Sequence, residues 1–115
     1  MAIYEKFIGR TRDSFVSLQD CQENFRITCE DSFNYAYDVI DVLGTEKPDK
    51  EALLYISSEG DEKRFTFGDM KRLSDKAANY FVSQGVRKGD PVLLVLKRSY
   101  LFWIVTLALN KIGAI

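Results

Sequence analysis

The run PVLLVLKRSYLFWIVTLALNKIGAI, from Pro91 to Ile115, constrains the fold more than any other part of the chain. Residues 92–96 are all aliphatic, the pattern of a strand covered by helices on both faces. Ser99 is placed to cap a helix, and residues 100–111 have almost no polar face before Asn110. Such a helix is expected to be buried by other elements on every side. A strand followed by a helix and then Gly113-Ala114-Ile115 is the first two-thirds of a parallel βαβ unit. The expectation is an α/β chain whose parallel unit is truncated and whose core is unfinished. Leu94→Ala should then cost about 2–5 kcal/mol if the strand is central.

At 115 residues the chain has room for one domain at most. It would bury roughly two-thirds of its unfolded surface, enough for a single core. A net charge of −1 gives no field to draw in nucleic acid or an acidic membrane, so neither is expected as a partner. The basic pairs Lys71–Arg72, Arg87–Lys88 and Lys97–Arg98 each border an apolar element and read as solvated edges. There is no histidine, which removes histidine-dependent nucleophiles and histidine metal sites. Cys21 and Cys29 are too few for a zinc site and lack the CxxC spacing. A disulfide between them is set below two free thiols, because nothing else points to an oxidising compartment. The first residues mix charges of both signs and hold no long apolar run, so no signal peptide is expected. The apolar run 100–109 is too short for a membrane span of about twenty residues. The expected location is cytoplasmic.

Residues 1–31 are the least patterned and read as an N-terminal extension, partly helical over 13–25, with an extended link at 26–28. Residues 32–44 read as a helix: Tyr37 and Ile40 share a side, Ser32 or Asn34 supplies the cap, and Gly44 ends it ahead of Pro48. Asp38 and Asp41 lie three apart and could share a face as a metal or acid/base pair. Two solvated carboxylates near the positive helix end is the preferred reading. Residues 52–56 and 64–67 form a hairpin around turn chemistry at 57–61. Thr66 to Asp69 starts the next helix. Met70, Leu73, Ala77, Ala78 and Phe81 make its apolar face, and Lys71, Arg72, Asp75 and Lys76 its polar one. Gly85 fits the left-handed position past its end. Gly85 and Gly89 could be mistaken for a phosphate cradle. Such a loop follows a strand and opens a helix, and here the order is reversed, so a helix stop and a turn are preferred.

FNYAYDV at 33–39, RFTF at 64–67 before a helix, GVRKGD at 85–90 before an apolar strand, and Phe102-Trp103 leading to LNKIGA at 109–114 form a pattern in fixed order. Together they resemble the N-terminal part of the AMP-forming acyl-CoA synthetases, within the adenylate-forming superfamily. The FNYAYDV opening is most similar to the acetyl- and medium-chain branch. The resemblance covers residues 32–115, which would be part of the N-terminal subdomain of an AMP-binding domain.

The resemblance implies a parent ligase that joins a carboxylic acid to ATP, releases pyrophosphate, and passes the acyl group to coenzyme A. ATP, magnesium and coenzyme A are implied for that parent. The family's phosphate loop with its lysine, its adenine and ribose motifs, its hinge and its C-terminal lysine all lie beyond the point where this sequence stops. No catalytic, cofactor-binding or metal residue is therefore expected here, and the 115 residues alone are expected to be inactive. Arg64, Arg87 and Lys88 could be offered as coenzyme A phosphate contacts, but no family motif places such contacts there. Trp103 could line an acyl pocket. A buried aromatic under the sheet is preferred, because its neighbours are apolar. The alternative is a stand-alone, non-catalytic interaction or assembly module. It would self-associate through an exposed sheet edge and the apolar helix. Small-molecule binding without catalysis lacks any convergent polar group to support it.

Overall fold

The computed structural model describes residues 3–9 and 14–115. The chain divides into two compact units, Met1–Phe33 and Asn34–Ile115.

In the first unit, a 3-10 turn at Ile3–Lys6 precedes helix α1, Leu18–Asn24. The helix expected over 13–25 starts late. Ser17 is extended, and its Oγ accepts the Asp20 amide N–H at 3.0 Å. Asp20 in turn accepts the Val16 N–H. A serine that satisfies a first-turn donor this way fixes the helix start at its own position. Asp13, the expected first residue, lies outside the described residues. The link at 26–28 is extended as expected: Ile27 forms an isolated antiparallel bridge with Ile8, and the Thr28 N–H donates to the Phe7 carbonyl. Cys21 and Cys29 are free thiols.

The second unit opens with a widened, π-helical segment, Ala36–Asp41, which continues as helix α2, Val42–Glu46. Asn34 starts it. Its Oδ1 accepts the Ala36 N–H at 3.0 Å, and its own N–H donates to Asp38. Gly44 does not end this helix as the sequence suggests. It is buried, and a Cβ there would sit 2.9 Å from Lys71 Cβ and from the Phe67 carbonyl. Its missing side chain is what lets the helix approach its neighbour, and the helix runs on to Glu46.

Strands β1, Glu51–Ile56, and β2, Glu62–Thr66, form an antiparallel pair with Leu53 opposite Phe65 and Tyr55 opposite Lys63. Helix α3, Phe67–Ser83, follows at once. Thr66 and Asp69 close a reciprocal capping box across its first turn. Met70, Ser74 and Ala78 are buried at four-residue spacing, so one stripe faces the core. At its end the Val86 N–H reaches back to Phe81 O and the Gly85 N–H to Val82 O, with Gly85 at φ 92°. This is the Schellman arrangement that a glycine in the left-handed region allows. Helix α4, Leu101–Ile112, packs along α3. Ser99 Oγ accepts the Leu101 N–H, as its placement suggested. Ala36, Ile40, Met70, Ile104 and Leu107 form the core, ringed by Leu53, Phe65, Phe67, Leu73, Ala77 and Tyr100.

Two expectations about the C-terminal run need correction. Residues 92–96 are not a buried strand in a ladder. Val92 and Leu94 are half-buried, whereas Leu93 is 91% and Val95 80% exposed. This alternation is that of extended backbone with one covered face. The second face is open because no described element packs on it. Among the described residues, the backbone bonds of this segment run to the chain end. The Ile115 N–H donates to Asp90 O at 2.9 Å, and the Val92 N–H donates to Ile115 O at 2.7 Å. That slanted pair is the opening of parallel pairing. Ile115 thus returns after α4 to bond in the parallel sense beside residues 90–92, as in a βαβ connection, while β1 and β2 form the regular sheet among the described residues. Helix α4 is also not buried all round, since Leu101, Phe102 and Trp103 lie on its exposed side.

Candidate functional site

Trp103 is 54% exposed, so the buried position under the sheet is a misreading. The apolar neighbours in its sequence are real, but helix α4 turns Ile104 and Leu107 toward the core and leaves the indole outside with Leu101 and Phe102. A hollow of about 410 Å³ lies on one side of it, between β1 and residues 96–99, and another of about 350 Å³ lies between Val92, Leu94, Leu107 and Ile115. Both are open and mainly apolar. The first is edged by Lys97, Arg98 and Ser99, and neither is lined by an acidic side chain, so neither pairs an acid with a base.

The polar groups that the sequence singles out are engaged elsewhere. Asp38 is used in capping, where it accepts the Asn34 N–H at 2.7 Å. Asp41 points at α4: the Lys111 ammonium is 2.7 Å from its carboxylate and 2.6 Å from that of Asp75 on α3. The two aspartates Asp38 and Asp41 therefore do not work as a pair. The Lys111 side chain is only 1% exposed, and the Tyr37 ring lies 5.4 Å from its nitrogen. Burying an ammonium this completely needs compensating charge, which the carboxylates of Asp41 and Asp75 provide. The sequence hid this network, because a lysine in the last helical turn normally reads as a solvated cation facing the dipole.

Arg64 is committed to Glu51 at 2.6 Å and Glu62 at 3.1 Å, and those hydrogen bonds hold its guanidinium above the ordinary arginine range. It is unavailable as a phosphate contact in this arrangement. The Arg87 N–H donates to the Asp90 carboxylate, closing the turn that contains Gly89, and the Gly89 N–H donates to Gly113 O. Gly85 and Gly89 both have positive φ and serve as helix stop and turn. The Lys88 stem lies against Gly113, where a Cβ would approach its Cγ to 2.9 Å. Among the described residues there is no group of three or more acids and cysteines that could hold a metal ion, and no helix long and apolar enough to cross a membrane.

The geometry is thus that of scaffold: capped helices, a hairpin, and the start of a parallel sheet. Comparison with known proteins identifies which scaffold. The family described as AMP-binding enzyme matches residues 41–115. The chain belongs to that family. Among its relatives, the mitochondrial acyl-coenzyme A synthetase ACSM4 of Rattus norvegicus is 30% identical over 111 residues, which is 91% of this chain and 18% of the relative. The human mitochondrial acyl-coenzyme A synthetase ACSM3 is 28% identical over 91% of this chain and 19% of its own length. This AMP-binding family member therefore spans about a fifth of these relatives. The fold agrees with solved members of the adenylate-forming enzymes. An acyl-CoA synthetase of Brucella canis superposes with a TM-score of 0.66 at 26% identity, over 72% of this chain and 15% of that one. A fatty acid AMP ligase of Legionella pneumophila gives 0.65 at 20% identity, over 70% and 14%, and supports the fold alone. The N-terminal subdomain of Klebsiella oxytoca NpsA gives 0.63 at 28% identity, over 72% and 20%.

Proposed function

We propose that these 115 residues are the opening scaffold of an ATP-dependent acyl-CoA synthetase, and that alone they catalyse nothing. The parent reaction would join a carboxylic acid to ATP with release of pyrophosphate and then transfer the acyl group to coenzyme A, with magnesium at the phosphates. The observation that carries this reading is the pair of backbone bonds by which Ile115, after α4, meets Asp90 and Val92 in the parallel sense, the strand–helix–strand connection of an α/β scaffold. In-line attack of a carboxylate on the α-phosphate needs cations and positioned donors around the phosphates. Of the cations discussed above, Arg64 and Lys111 are held in salt bridges with carboxylates of this chain. The test is a chimera in which residues 34–115 replace the matching segment of an active acyl-CoA synthetase. Retained carboxylate-dependent release of pyrophosphate supports the reading. A soluble, folded chimera without it counts against the reading.

A second reading is favoured by a separate observation. Leu93 and Val95 are exposed, and the backbone of residues 93–97 has no backbone partner among the described residues. A free-standing assembly module would use such an edge to associate with itself. Light scattering on the purified chain distinguishes the two, since a clean monomer at all concentrations counts against the module.

A further inference from the structure

We propose that Asn110 and Lys111 of α4 form a register lock on the first helix of their unit, and that the π winding of that helix is the register the lock demands. A π-helix bonds each N–H to the carbonyl five residues back, is rare, and occurs mostly as one wide turn inside an α-helix. Here it spans Ala36–Asp41, a stretch with no glycine or proline to account for it.

Two adjacent residues hold the two ends of this turn. Asn110 Oδ1 accepts the Ala36 N–H at 3.1 Å, and the Asn110 carbonyl accepts from the Asn34 side-chain amide at 2.8 Å. One residue further on, the Lys111 ammonium lies 2.7 Å from the Asp41 carboxylate. A third contact fixes the helix beyond the turn, because Gly44 sits where α3 leaves no room for a Cβ.

An α-helix turns by about 100° per residue. The wide turn carries one extra residue, so it sets back everything after it by about that angle. Wound as α from the same start, the helix would bring Ile40 to the place of Asp41 and Leu43 to the place of Gly44. The buried Lys111 ammonium would then face an aliphatic side chain and keep only the half-exposed Asp75. Leu43 would be driven into Lys71 Cβ and the Phe67 carbonyl. The π register satisfies the contacts at Ala36, Asp41 and Gly44 together. Fixing a register is the best-attested use of a buried ionic group. The lock also joins two stretches that carry the family resemblance, residues 33–39 and 109–114.

The test removes the extra residue from the full 115-residue chain. Val39 is the one to delete, since Ala36 and Ile40 are core, Tyr37 lies beside Lys111 and Asp38 caps the helix. After deletion a plain α-helix brings Asp41 and Gly44 to their present places. The urea midpoint is expected to stay close to that of the wild type. Inserting an alanine after Val39 turns the same residues away and is expected to lower the midpoint far more. Through-hydrogen-bond NMR couplings should link the Asp41 amide to the Ala36 carbonyl in the wild type, five residues back, and to the same carbonyl, now four back, in the deletion variant. Lys111→Met should lower the midpoint equally in both backgrounds, because Asp41 meets Lys111 in each. A deletion as damaging as the insertion overturns the proposal. So does a wild type without the five-back coupling, or a Lys111→Met change that costs nothing after the deletion.

Discussion

The ammonium of Lys111 lies 2.7 Å from the carboxylate of Asp41, seventy residues earlier in the chain, and this contact joins the last helix to the first helix of its unit. Asp75 completes the site from α3 but is 47% exposed, so water already solvates part of its charge. Lys111→Met is expected to destabilise by about 3–5 kcal/mol, because it leaves the mostly buried Asp41 uncompensated. Asp75→Asn should cost about 0.2–1 kcal/mol, as for a partly solvated pair. Urea denaturation orders the two. Equal losses would show that Asp75 and not Asp41 carries the compensation.

The capping box makes a pH-dependent contribution. The Asp69 carboxylate is held below its ordinary value of 3.8, first by the Thr66 backbone N–H, with smaller help from Arg72. A lowered folded pKa means stability present above the unfolded value and lost as pH falls through the folded one. Thr66→Ala is expected to cost about 0.5–2 kcal/mol. Asp69→Asn should flatten the stability profile below the ordinary value of 3.8, the window in which an unfolded Asp69 takes up its proton before the folded one does. A wild-type profile that is already flat below about pH 4 contradicts this.

Gly44 is a packing position. Gly44→Ala improves helix propensity by about 1 kcal/mol, yet it drives a methyl into Lys71 and the Phe67 carbonyl. The clash with backbone should dominate, giving a net loss and a lower melting temperature. A stabilised variant would show that α2 and α3 can separate without cost.

The core should respond to truncation and the open segment should not. Leu107→Ala removes a buried side chain between helices and is expected to cost about 2–5 kcal/mol. Leu93→Ala, at an almost fully exposed position, should fall within about 0.5 kcal/mol when measured in the monomer. Leu94→Ala, half-buried, belongs between them, below the roughly 2–5 kcal/mol of a central strand. Denaturation midpoints of the three variants give the order directly.

What the sequence reveals is what short-range physics decides. The hairpin, the Thr66–Asp69 start, the Gly85 stop and the Ser99 cap all depend on neighbouring residues, and each lies where its pattern places it. The misreadings are at positions decided by distant partners. Gly44 looks like a terminator until α3 is seen against it. Trp103 looks buried until the helix direction is known. Lys111 carries no signal of its own in the sequence, because the carboxylates of Asp41 and Asp75 that meet it are distant along the chain. Residues 92–96 have the composition of a central strand, but composition cannot show whether neighbours cover both of their faces. The family was legible for a different reason: several weak local patterns occur in a fixed order along residues 32–115.

The most direct measurement of the central claim is pyrophosphate release by the purified 115-residue chain, given ATP, magnesium and carboxylic acids from acetate to octanoate. A rate indistinguishable from a protein-free blank is the predicted result. Carboxylate-dependent turnover above that blank would place reacting groups within these residues and contradict the account.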